Sequence, residues 1–296
     1  MNSVFSEYHP ITGFIYFSCV LIFTMFITNP VILAISFIFA FFYSVYLGGK
    51  KTLKFSLKVI LPMFLLVMII NPLFNHSGAT ILTYFPDGNP LTLESVIYGI
   101  SSAILMSAVM LWFSCINKIV TSDKIIYLFG RIAPVLSLLI SMILRFIPKF
   151  KTQLQLVRSA QRCIGKDISN GTIFQRIKNA VRIISIMILW SMENSIQTAD
   201  SMKSRGYGLP HRTAYSPYHF QKRDGICSTV LLLSTIIVLI GTVNGNLDFN
   251  YFPLISDIKT DVCSIVVYAV YFVVCFMPLI LDIKEDRKWK YIQSKI

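Results

Sequence analysis

The chain is 296 residues long, 55% hydrophobic, with 23 Phe and a formal net charge of +13. Its mean hydropathy of +0.66 reflects more apolar surface than a soluble interior of this size can take up, which excludes a soluble globular fold and makes lipid the second solvent. Long apolar runs without two-residue alternation point to helices and away from a barrel, so the fold class is all-α, a polytopic membrane helix bundle of about six spans.

In chain order the predicted spans are 14–28, 31–47, 57–74, 95–116, 227–243 and 263–281. The first has no basic leader and no small-residue cleavage site, so it reads as a span and not as a removable signal peptide. A residue before proline is pushed out of the helical region, so Asn29-Pro30 divides the first two spans. One re-entrant element over 14–47 is the alternative. Lys50, Lys51, Lys54 and Lys58 follow the second span, and Lys284, Arg287, Lys288, Lys290 and Lys295 follow the last. Residues 75–93 hold no Lys or Arg, and 244–262 hold only Lys259. By the positive-inside rule, a cell-membrane protein with this pattern has both termini and its central basic block in the cytoplasm.

That block, residues 117–225, carries 17 Lys or Arg against 5 Asp or Glu. Three regions follow: membrane helices over 1–117, a cytoplasmic region over 118–225, and membrane helices with a basic tail over 226–296. The apolar run 125–150 is bracketed internally by Arg131 and Arg145, too close together for a crossing. It reads as helices at the membrane surface, one opened by Pro134, with Pro148 marking a break. A helix with Leu154, Val157 and Gln161 on one face then stops at Gly165, and Ser169-Asn170-Gly171 makes a turn. Residues 173–206 read as one long helix or two, with Ile177, Val181, Ile184, Ile188 and Trp190-Ser191 as the stripe and Gly206, Gly208 and Pro210 as the stop.

The two helices end alike, in Arg162-x-x-Gly165 and Arg205-x-x-Gly208. An arginine in a last helical turn gains a few tenths to about 1 kcal/mol from the helix dipole. A guanidinium at a rigid tip also offers a planar fork that grips an acidic groove in a way lysine does not. Both readings stand on these residues.

Ala199-Asp200-Ser201-Met202-Lys203-Ser204-Arg205-Gly206-Tyr207 resembles the second Ala-Arg-Gly motif of the T-component of energy-coupling factor (ECF) transporters, the CbiQ-like family. The stretch from Ala160-Gln161 to Gly165-Lys166-Asp167 resembles the first. Tyr8-His9-Pro10-Ile11-Thr12, Asn71-Pro72-Leu73-Phe74-Asn75-His76-x-Gly78 and Leu144-Arg145-Phe146-Ile147-Pro148 are similar to further markers of that family. The resemblance implies cytoplasmic coupling helices that dock on two ABC-type ATPase subunits. It also implies a small membrane S-component that binds the substrate, a vitamin or a metal ion such as cobalt. The docking role it implies falls on Ser204, Arg205 and Gly206, and at the first motif on Arg162, Gly165 and Arg158. There the sequence departs from the family, with Ile164 where arginine precedes the glycine.

No cofactor is expected, and the chain reads as a non-catalytic subunit. None of its four histidines forms a metal-binding helical pair, and it has no Gly-x-Ser-x-Gly and no Walker sequence, so ATP hydrolysis belongs to partners. A self-sufficient secondary transporter or channel would place ionisable residues at mid-span, and these spans have none. Contact with anionic lipid is expected of the basic block, and nucleic acid is not. The six cysteines follow no metal or disulfide spacing and read as packing residues.

Overall fold

The computed structural model describes residues 4–84, 89–166, 168, 171–209 and 218–294, without the side chains of Arg131 and Ile132. Expectations at Asp167, Ser169, Asn170, Pro210 and Lys295 lie outside these residues. The chain forms two compact units, Met1–Ile125 with Tyr218–Ile296, and Ile126–Pro217.

The first unit opens with a 3-10 turn, Val4–Glu7, and α1, Pro10–Phe26. Asn29 caps α2, Pro30–Phe55, by accepting from Val31 N, and Pro30 stands at the first helical position. Asn29-Pro30 thus divides the first two helices as the sequence suggests. At 17 residues α1 is short, about 25 Å long.

Helical structure continues from α2 through a π-turn, Ser56–Ile60, into α3, Leu61–Phe74. The continuity hides a reversal. α4, Leu93–Ile119, gives the direction. Trp112 bonds Ser36, Lys118 bonds Thr52, and Gly99 lies against Met68 and Pro72. The chain therefore runs along α4 one way to about Gly48 and returns the other way to Phe74. Gly49 makes the turn with φ 53° and ψ −141°, a region open to glycine and costly for other residues. The stretch Pro30–Phe74 is thereby two limbs, matching the second and third predicted spans.

Beyond α3 the structure holds something the sequence reading missed, a small hairpin of β1, Ile81–Tyr84, and β2, Pro90–Thr92. α5, Ser122–Ile132, leads into the second unit, and α8, Lys222–Val243, with α9, Val262–Gln293, completes the first. The long apolar helices are Pro30–Phe74, Leu93–Ile119, Lys222–Val243 and Val262–Gln293, with Pro10–Phe26 apolar but shorter. This is a membrane helix bundle.

Its core centres on Trp112, fully buried, with the Tyr16, Phe17 and Tyr43 rings 6.1, 6.3 and 6.5 Å away. The indole N–H donates to Ser36 Oγ at 2.9 Å, and Ser36 Oγ lies 2.8 Å from Thr24 Oγ1. Tyr271 OH reaches the same threonine at 3.2 Å. Thr24 spends its own proton on Val20 O, so Ser36 and Tyr271 donate to it.

Replacing Gly49 by alanine is expected to lower stability by about 1–3 kcal/mol, read as a lower thermal midpoint in detergent. An unchanged midpoint would move the turn elsewhere in the chain.

Candidate docking surface

The second unit is built on two long helices, α6, Pro134–Cys163, and α7, Ile173–Ser204. Pro134 opens α6 as expected. Pro148 does not break it, and the helix runs through. A proline inside a helix forfeits one hydrogen bond, and the rest of this 30-residue helix holds its path. α7 is one helix, started by a Thr172–Gln175 capping box.

The helices meet where Trp190 of α7 packs against Phe146 and Phe150 of α6, with ring centroids 5.5 and 6.4 Å away. Phe146 stacks at 27° to the indole. Lys149 Nζ sits 5.7 Å above the indole ring and donates to Asn194 Oδ1, a cation–π contact and a hydrogen bond at one crossing.

Around this crossing α7 shows three faces. Ile183 and Met187 are its buried residues, in line with Trp190 and Ser191. Ile177, Val181, Ile184 and Ile188, the rest of the predicted stripe, are exposed and continue into Phe174, 81% exposed, and Met192. A hydrophobic count along the sequence cannot separate two apolar faces a third of a turn apart, and the aromatic pair of α6 decides which one is covered. Lys178, Arg182 and Ser185 lie on the third face, interleaved with the exposed Leu189 and Ile196. α6 also leaves Leu136, Leu139, Ile143 and Ile147 exposed.

Both helices end in the same capped turn. Lys166 N donates to Gln161 O and Gly165 N to Arg162 O, with Gly165 at φ 74°. Tyr207 N donates to Met202 O and Gly206 N to Lys203 O, with Gly206 at φ 78°. These are Schellman turns, which need a glycine or an equivalent left-handed residue. The matching bonds correct only the pairing of the two tips: Gly165 corresponds to Gly206, not to Gly208 as the repeated Arg-x-x-Gly pattern had it. α7 stops at Gly206, where the sequence reading ended it, and Arg205 is the cap residue itself. Its counterpart in α6 is Ile164, 63% exposed, while Arg162 matches Lys203 and Cys163 matches Ser204. Arg205 and Ser204 are exposed, and Ser204 Oγ donates to Ser201 O. Arg158 and Arg162 line an open groove with Gln155 and Ser159, one turn back from the first tip. Among the described residues no group of His, Cys, Asp or Glu is placed to hold a metal ion.

Residues 1–215 match the family described as CbiQ, cobalt transport protein. The chain belongs to this family. The CbiQ match runs through both capped tips and ends just beyond them. Curated relatives include the energy-coupling factor transporter transmembrane protein EcfT 1 of Listeria monocytogenes serotype 1/2a, 28% identical over 200 residues, 62% of this chain and 73% of the relative. The EcfT of Brevibacillus brevis is 26% identical over 207 residues, 64% and 76% of the two chains. That of Staphylococcus aureus is 32% identical over 111 residues, covering 37% of this chain and 41% of the relative. As a CbiQ-family member with this helix bundle, the protein is a membrane component of a transporter.

Trp190→Ala is expected to cost roughly 2–3 kcal/mol, below the range for a fully buried ring. Amide hydrogen exchange should rise in α6 and α7 together around the crossing. Unchanged protection would mean the crossing is held elsewhere.

Proposed function

We propose that this protein is the T-component of an ECF-type importer. In this reading it grips two ABC-type ATPases through the tips of α6 and α7 and passes their motion to an S-component that binds a vitamin or metal ion. Both termini and residues 118–225 face the cytoplasm, as the lysine and arginine distribution suggests. ATP hydrolysis is left to the partners.

The observation that carries this reading is the pair of identically capped, exposed helix ends in one basic unit. A capped tip is stiff, so a guanidinium there meets an acidic groove with little ordering to do. Arg205 is the leading contact, with Gly206 letting the backbone turn away directly behind it and Ser204 beside it. At the first tip Ile164 takes the cap position, so docking there falls to Arg162 and Arg158, set back on the helix, with Gly165 as the turn. The open apolar faces of α6 and α7 suit a membrane partner such as the S-component, or lipid.

Arg205→Glu is expected to weaken co-purification with the ATPases by about 2–5 kcal/mol, the range for breaking a desolvated charge pair. Arg162→Ala should cost less. Undiminished association together with undiminished uptake in Arg205→Glu would remove the docking role. Cys163 and a Ser204→Cys variant occupy matching positions, so a cysteine-directed crosslinker should reach an ATPase from each. Crosslinking from neither position would sink the whole reading.

A further inference from the structure

Four charged side chains are buried among the described residues outside the docking surface; Glu94 bonds Thr80, and the other three bind the same short piece of backbone. Asp282 of α9, 1% exposed, accepts from Phe5 N at 2.9 Å and from Tyr43 OH at 3.3 Å. Asp224 of α8, 2% exposed, accepts from His9 N at 3.1 Å and from Gln221 N at 2.9 Å. Lys124 of α5, 7% exposed, donates to Ser6 O and to Ile119 O. Charges of both signs are thus neutralised by N–H and C=O groups of residues 5–9, and not by one another. Burying an ion is costly unless it is fully bonded, so these residues are not interchangeable with ordinary packing residues.

The positions of two of them have a meaning that the third lacks. The second unit spans Ile126–Pro217. Lys124 is the last charged residue before it, and Asp224 is the first buried charge after it. The return segment packs along the N-terminal strap at two more points, with the Arg223 guanidinium 5.2 Å from the Tyr8 ring and the Phe220 ring 5.3 Å from His9. The chain enters and leaves the second unit through these two connections, so they are the covalent route between the helix tips and the bundle. A slack connection absorbs displacement, whereas a packed and bonded one passes it on.

We propose that residues 4–9 form a strap that clamps both connections of the second unit to the bundle, with Lys124 and Asp224 as positioning residues for the ATP-driven stroke. The proposal rests on the docking function above and adds the part that makes it mechanical.

The test uses the full chain assembled with its ATPases, with nitroxides on the exposed Cys263 and on a Ser185→Cys variant away from the tips, Cys163 being replaced by serine. Double electron–electron resonance is recorded without nucleotide and after trapping with ATP and vanadate. The native complex is expected to give a narrow distance distribution that shifts between the two states. In Lys124→Met and Asp224→Asn, assembly and ATP hydrolysis should persist while the distribution broadens in both states and the shift is lost. Lys124→Arg keeps the cation and should restore both. Native width and shift in Lys124→Met and Asp224→Asn would overturn the proposal. So would a lower melting temperature with width and shift intact, which assigns these residues to stability alone. Variants that express but no longer assemble would overturn it too, because the role would then be in assembly. If the native chain itself fails to bind the ATPases, the docking reading falls, and the nucleotide-free widths alone still judge the strap.

Discussion

A polar hydrogen in a lipid-embedded core has no water to turn to, and this constraint organises the bundle. The Trp112 N–H finds Ser36, Ser36 and Tyr271 find Thr24, and Thr24 closes the chain on the backbone of its own helix. Four helices, α1, α2, α4 and α9, are thereby set in register by groups that have nowhere else to bond. Apolar packing alone drives helices together weakly in lipid, because the tails are as oily as leucine. The aromatic shell around Trp112 supplies contact area, and the hydrogen bonds choose which contacts.

The same economy appears at the end of the bundle near the N-terminus, with ions in place of hydroxyls. Asp224, Asp282 and Lys124 are tolerated in the interior because a short stretch of backbone meets each of them with a matching dipole. The two devices differ in what they organise. The hydroxyl chain joins spans to one another, and the ionic strap joins the bundle to the segments that flank the second unit in the chain.

The spans were legible in the sequence because apolar runs of membrane length have few other uses, and Asn29-Pro30 marked its boundary through local chemistry alone. The glycine stops of α6 and α7 were legible for the same local reason. Their pairing was not. Gly206 and Gly208 both suit a helix stop, and only the bond from Tyr207 N to Met202 O shows which of them matches Gly165. Pro148 was misread as a break because a proline's penalty is local, while the decision to continue belongs to thirty residues and a partner helix. The strap was invisible because it joins residues more than a hundred positions apart through backbone groups, which carry no sequence signal. Tyr8-His9-Pro10 and Asp224 gave no hint of each other.

With Ile183, Met187 and Trp190 on one side and Val181, Ile184 and Ile188 about a third of a turn away, rolling the helix about its axis would exchange one oily ridge for another at little hydrophobic cost. Such a helix has a nearly degenerate spin angle as far as leucine-like contacts are concerned. What breaks the degeneracy is the Trp190 indole against Phe146 and Phe150, with the Lys149 ammonium seated on it and tied to Asn194. A single crossing thus sets the azimuth of a 32-residue rod, and with it the direction in which Arg205 points.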